Sequence, residues 1–229
     1  KYGITANLVC SDQFATDGYQ IWGLPWQVPY YPSKNHSGVF ASSLAVKLDL
    51  VNLQWASRDP LNGYHNSLFS TQDYLVSGRN LDIAYFEKLV RLYSGLGKNE
   101  FGQITVGLEA DRGPEGYEKE FTKQMSLVSK LRDTEGLRIV TMRDFAGWYK
   151  ERFPSLSPPS FLEAKDLLGT GVRAVWSQSP EYRLFYTIDP ATKEITVRDV
   201  RFYNADLEEP YYNSPNRSFN LTINVPGVV

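Results

Sequence analysis

The periodicity of this chain changes once, and that change limits what it can fold into. Up to about residue 153, short apolar runs alternate with segments of helical spacing; beyond residue 160 the pattern becomes period two. Strand followed by helix at short intervals calls for parallel pairing through right-handed crossovers. Alternation of apolar and polar residues calls instead for antiparallel strands with one covered face. The predicted class is α/β, with a small antiparallel β-rich domain after it. The expected boundaries are 1–154 for the first unit, 155–160 for a Ser- and Pro-rich linker, and 161–229 for the β-rich appendage.

In the first unit, residues 6–10 read as a strand ending in the polar Ser11-Asp12-Gln13. A loop rich in Gly, Pro and aromatics follows over 14–39, a length usually reserved for function or for loops packed by their own side chains. Residues 48–53 read as the second strand, with a polar and aromatic loop over 54–69. Ser70-Thr71-Gln72-Asp73 can start a helical segment, and Ile83, Phe86, Val90 and Tyr93 carry helical spacing up to Gly95 and Gly97. Residues 103–108 read as a third strand, with Glu109-Ala110-Asp111 at its C-terminal end. Pro114 opens a long helix whose expected inner face is Tyr117, Phe121, Met125, Val128 and Leu131, closed by Gly136. Residues 137–140 read as a fourth strand; Thr141 and Asp144 then fit the N-cap and N3 positions of a short helix.

In the tail, Tyr182, Leu184, Tyr186 and Ile188 alternate with Arg183, Phe185, Thr187 and Asp189, and a turn over 189–193 leads into 194–198 as a hairpin. Phe219, Leu221, Ile223 and Val225 give a last alternating run.

Charge argues against nucleic acid as a partner: 24 basic residues against 26 acidic leave a net −2, with no basic footprint. No apolar run approaches the ~20 residues of a membrane-spanning helix. The chain opens abruptly on Lys1-Tyr2-Gly3-Ile4, close to strand-like sequence, as a processed or excised segment would. Cys10 is the only cysteine and His36 and His65 the only histidines, so no disulfide framework and no Cys/His zinc site is expected. No cofactor is evident, and a divalent metal is expected only if ligands lie outside this chain. Sequons at Asn35, Asn216 and Asn220 favour an extracellular or cell-surface location.

Aromatic residues make up 14% of the chain, and Tyr19, Trp22, Trp26, Tyr30 and Tyr31 crowd into one non-periodic segment. Core packing is the commoner use of such rings, but flat aromatic faces in polar loops also suit sugar rings. Trp22, Trp26, Tyr30, Tyr31 and Trp55 are therefore expected substrate contacts, and Arg58 and His65, in the loop above the second strand, are expected to join them.

The run Asp49-Leu50-Val51-Asn52-Leu53-Gln54-Trp55-Ala56-Ser57-Arg58-Asp59, with 104–111 and 137–142, resembles the later strands of polysaccharide-deacetylase (NodB-like) domains. Those domains belong to the glycoside hydrolase/deacetylase superfamily of (β/α)7 barrels, and the resemblance covers residues 1–153. It implies a partial (β/α) barrel, made of late strands, and a polysaccharide or oligosaccharide as partner. The departures are specific. The family's Asp-Asp pair and His-x-x-x-His motif are absent from this chain, and Glu109 stands where a catalytic His commonly ends the penultimate strand. Related glycosidases use two carboxylates whose environments push their pKa values apart. By that resemblance Glu109, Asp111 and Asp59 are the candidate catalytic residues, with Asp12 a further candidate partner. The commoner use of such carboxylates is pairing with Arg58 and Arg112 or capping the following helices.

Two functions follow. One is a part of a secreted or cell-surface carbohydrate-active protein, deacetylase or glycosidase-like, without a complete catalytic set in this chain. The alternative is a non-catalytic structural or assembly module with an inherited barrel fold, whose β-rich domain offers strand edges to a protein partner.

Overall fold

A computed structural model describes residues 3–9, 28–34, 39–54, 57–64, 66–95, 97–107, 114–203, 214–215, 217 and 227–228. The architecture is mixed α/β. Strands β1 (Ala6–Val9) and β2 (Val51–Gln54) pair in parallel, with Ala6 opposite Val51 and Val9 opposite Gln54. Three helices follow, α1 (Ile83–Ser94), α2 (Pro114–Glu135) and α3 (Met142–Arg152). The chain then forms an antiparallel sheet in the order β3 (Ser160–Lys165), β4 (Arg173–Gln178), β5 (Tyr182–Asp189), β6 (Glu194–Phe202) and β7 (Gly227–Val228).

Local chemistry explains where the helices start and stop. Asp82 caps α1 by accepting from Ala84 N at 2.9 Å, and the helix buries Tyr85, Phe86, Leu89, Val90 and Tyr93 along one stripe. Thr141 Oγ1 caps α3 by accepting from Asp144 N at 3.1 Å, as its sequence predicts. Asp144 in the first turn and Lys150 and Arg152 in the last complement the helix dipole. Gly136 ends α2 at φ +74°, a conformation that favours glycine.

The long helix keeps much of its expected inner face, with Leu131 buried and Val128 packed against the core, and buries a polar stripe beside it. Glu120, Gln124 and Leu131 are buried, whereas Phe121 is 37% exposed. The reason is polar: Tyr74 Oη donates to Glu120 Oε1 at 2.5 Å, and Gln124 Nε2 donates to Thr71 O at 3.3 Å and to Tyr74 Oη at 3.2 Å. These bonds draw Glu120 and Gln124 inward beside Val128 and Leu131, while Phe121 turns outward.

Two expected strands do not form ladders. Residues 103–107 and 137–141 carry no strand pairing, and Ile139 and Val140 stand 58% and 47% exposed. A strand needs a neighbour to complete its backbone hydrogen bonds. No described strand lies alongside either segment.

The β5–β6 hairpin turns at Asp189, whose carbonyl accepts from Lys193 N and whose side chain accepts from Ala191 N, both at 2.8 Å. Its inner face is the one bearing Arg183, Phe185 and Thr187. Phe185 stacks on Trp176 with ring centroids 4.1 Å apart. Arg183 and Arg201, opposite one another across β5 and β6, both bind Asp199, and all three side chains are at most 2% exposed.

One hydrophobic cluster crosses the expected boundary at 155–160. Tyr64, Tyr74, Tyr85, Phe86 and Tyr93 from the first part pack with Leu162, Trp176, Phe185 and Tyr203 from the sheet. Trp176 Nε1 donates to Pro60 O at 2.8 Å and fastens the sheet to the loop that leaves β2. A second cluster, Tyr31, Ala41, Val51 and Leu53 with Ala146 and Tyr149 of α3, covers one face of β2.

Candidate functional site

Because β1 and β2 are parallel, their C-terminal ends point the same way, and Gln54 is the last residue of β2. In parallel sheets these ends gather binding and catalytic groups. From Ser57 onward the chain is held against the turn at 70–73. Thr71 N donates to Ser57 O at 2.8 Å, and Ser57 N donates to Thr71 Oγ1 at 3.3 Å. Ser57 Oγ donates to Thr105 O at 3.4 Å. Three segments, around 57, 71 and 105, therefore meet beyond the end of β2.

Asp59 lies inside this meeting point, 0% exposed. Its Oδ1 accepts from Leu61 N at 2.9 Å and Asn62 N at 2.8 Å, and its Oδ2 accepts from Tyr85 Oη at 2.9 Å. Burial pushes the carboxyl up, while these bonds, with that of the Asn62 amide, pull against burial without cancelling it. Asn62 Nδ2 also donates to Asp166 Oδ1 at 2.7 Å, linking the loop to the β3–β4 turn. Asp166 Oδ2 accepts from Thr170 Oγ1 at 2.6 Å and Thr170 N at 3.1 Å. There burial raises the carboxyl, but bonds from Thr170, Leu168 and Asn62 outweigh it and hold the group below the usual carboxylate range.

The expected site residues fall into two groups. Glu109, Asp111, Asp12, Trp22, Trp26, Trp55 and His65 lie outside the described residues. The others are inside the protein. Tyr30 and Tyr31 are both 0% exposed, which corrects the expectation that they form a sugar-contacting wall. Tyr30 stacks on Phe40, centroids 4.4 Å apart, while Tyr31 meets Tyr149 edge-on and donates to Phe153 O at 2.8 Å. Their ring faces are taken up by packing. Arg58 is 4% exposed, and its carbonyl accepts from Tyr93 Oη at 2.5 Å. Asp59 is closed off from solvent and serves here as the acceptor that shapes the 59–62 turn.

The residues that sequence reasoning passed over are Gln54, Tyr85, Glu120 and Gln124. Gln54 had a signal, being a polar residue at the last position of an apolar strand. Tyr85, Glu120 and Gln124 had none that separates them from ordinary helix positions. Among the described residues no three His, Cys, Asp or Glu side chains come together as a metal-ligand group. No described helix is long and apolar enough to cross a membrane.

No protein-family model and no curated protein matches the chain. One solved structure does: a protein from Parabacteroides distasonis, provisionally named a glycoside hydrolase/deacetylase, with a TM-score of 0.69 and 19% identity. The chain has a glycoside hydrolase/deacetylase-type fold. The match takes in 90% of this chain and 53% of that protein, so the chain spans about half its length. At this identity the likeness concerns the fold.

Proposed function

We propose that the chain is part of a secreted or cell-surface carbohydrate-active protein of the glycoside hydrolase/deacetylase type, binding a polysaccharide or oligosaccharide beyond the C-terminal ends of β1 and β2. The fold likeness over nine-tenths of the chain carries this reading. The convergence of Ser57, Thr71 and Thr105 at those strand ends supports the location. In this reading β1, β2 and residues 103–107 are late strands of a (β/α) barrel. Glu109 and Asp111, directly after that third segment, are the candidate acid and base, and Trp22, Trp26, Trp55 and His65 supply contacts to the sugar. Asp59 then acts by holding the loop, and any divalent metal takes its ligands from outside this chain.

A titration of neutral and acetylated oligosaccharides followed by tryptophan fluorescence tests the reading, together with a Glu109→Gln variant in a hydrolysis and deacetylation screen. Emission that no glycan changes, with activity that the variant leaves intact, would sink it.

One observation favours the second reading, a non-catalytic module. Asp59 is the one candidate carboxylate among the described residues, and it is buried and occupied by the hydrogen bonds of its own loop. In that case the exposed apolar residues of β6, Ile195 and Val197, belong to a surface for a protein partner. A folded chain that binds no glycan but co-purifies at fixed stoichiometry with one protein would favour it.

A further inference from the structure

Side chains alternate across a strand, so β2 presents Val51 and Leu53 to one side and Asn52 and Gln54 to the other. Val51 and Leu53 pack with Ala146 and Tyr149 of α3, which makes theirs the helix-covered face. In residues 103–107, Ile104 and Val106 pack into the core that α1 and α2 line. Gln103 and Thr105 alternate with them, and Gln103 Nε2 donates to Thr105 Oγ1 at 3.0 Å. On β1, Asn7 sits opposite Asn52 and its Nδ2 donates to Asn52 Oδ1 at 3.4 Å. On β1 and β2 the side opposite α3 thus carries Asn7, Asn52 and Gln54, all polar and all uncharged.

Gln54 stands out in that set. It is 1% exposed, yet neither its Nε2 nor its Oε1 has a hydrogen-bond partner among the described residues. Gln103 Oε1 is likewise buried without one. Buried amides are nearly always satisfied, and leaving one unmade opposes folding.

We propose that Gln54 is a recognition residue for a neutral ligand bearing adjacent hydroxyl groups, taken in at the end of β2. A primary amide offers one acceptor and two donors in a plane. Adjacent hydroxyls match it, one donating to Oε1 and the other accepting from Nε2. The absence of charge among these three side chains selects against anionic sugars, which need a cation to offset their desolvation. The assignment rests on the carbohydrate reading above and narrows it to unsubstituted, uncharged sugar rings.

The experiment uses the whole chain, with cellotetraose, whose rings keep free neighbouring hydroxyls, chitotetraose, in which one of each pair is an acetamido group, and the charged tetragalacturonate. Calorimetric titration is expected to rank cellotetraose first. Gln54→Leu is expected to weaken that binding by about tenfold, as loss of a paired polar contact does, while raising the melting temperature, since an unpartnered amide is removed. In a 15N-labelled sample, the side-chain amide signal that the variant lacks should move on adding cellotetraose. If cellotetraose binds the wild type and Gln54→Leu equally, or the amide signal stays still, the role of Gln54 fails and the carbohydrate reading stands. If none of the three sugars binds, both fail. A variant that loses stability and binding together, with no amide shift in the wild type, assigns Gln54 to structure alone and overturns the proposal.

Discussion

Tyr85 Oη donates a 2.9 Å hydrogen bond to Asp59 Oδ2, joining the first turn of α1 to the loop that leaves β2. Both residues are buried, Tyr85 at 3% exposed and Asp59 at 0%. Desolvation and the neighbouring Asp59 carboxylate keep the Tyr85 phenol protonated far above its usual range, so the hydroxyl remains a donor. Tyr85→Phe removes this bond and leaves a buried carboxylate one donor short. The expected loss is about 2 kcal/mol of unfolding free energy, read by urea denaturation at neutral pH. A loss within the scatter of repeat measurements would show that the bond does not hold the loop.

The two buried carboxylates of this network titrate in opposite senses. Asp59 has its folded-state pKa raised, so its contribution to stability is full below the unfolded carboxylate value of about 4 and is lost as pH rises through the folded value. Asp166 has its pKa lowered, so its contribution is present above that value and is lost as pH falls through the folded one. Asp59→Asn should therefore gain on the wild type as pH rises from 3 to neutrality. Asp166→Asn should fall behind over the same interval. Parallel melting curves across pH check both signs, and slopes of the same sign for the two variants would contradict the assigned environments.

Asp199 holds Arg183 and Arg201 together inside the sheet. Removing one member of a buried ionic group leaves its partners uncompensated, at a cost of about 3–5 kcal/mol. Asp199→Ala should therefore destabilise severely, whereas replacing Ile195, 67% exposed on the same strand, by Thr should change little. Guanidinium titrations of the two variants give the comparison.

The orientation of α2 is open to the same kind of test. Glu120→Ala breaks the contact to Tyr74 and should cost about 1–3 kcal/mol, while Phe121→Ser on the exposed side should stay within about 0.5 kcal/mol. The reverse order would restore the face that apolar spacing favours.

That orientation also marks how far the sequence could be followed. Helix caps were legible because capping is local: Thr141 with Asp144, and Gly136 after α2, act within one turn. The hairpin turn at Asp189 was legible for the same reason. The inner face of α2 was legible only in part: Val128 and Leu131 pack inward as their spacing predicts, but Glu120 and Gln124 are drawn in by Tyr74 and Thr71, some fifty positions away in the chain. The strand character of 137–140 was misleading, since apolar β-branched residues describe a preference that only a neighbouring strand can realise. At the site, Asp59 was found by its place at a strand end, but its occupation by Tyr85 depends on a helix contact invisible to spacing. Tyr30 and Tyr31 followed the more common fate of aromatic clusters and went into the core.

The central claim is that sugar binds beyond the ends of β1 and β2. Hydrogen exchange measured by mass spectrometry, with and without saturating cellotetraose, locates binding directly. Slowed exchange in peptides covering 51–59 and 70–74, with the β3–β6 sheet unchanged, is the predicted result. Slowed exchange confined to the β3–β6 sheet, or none at all beside a glycan panel that also fails to bind, would contradict it.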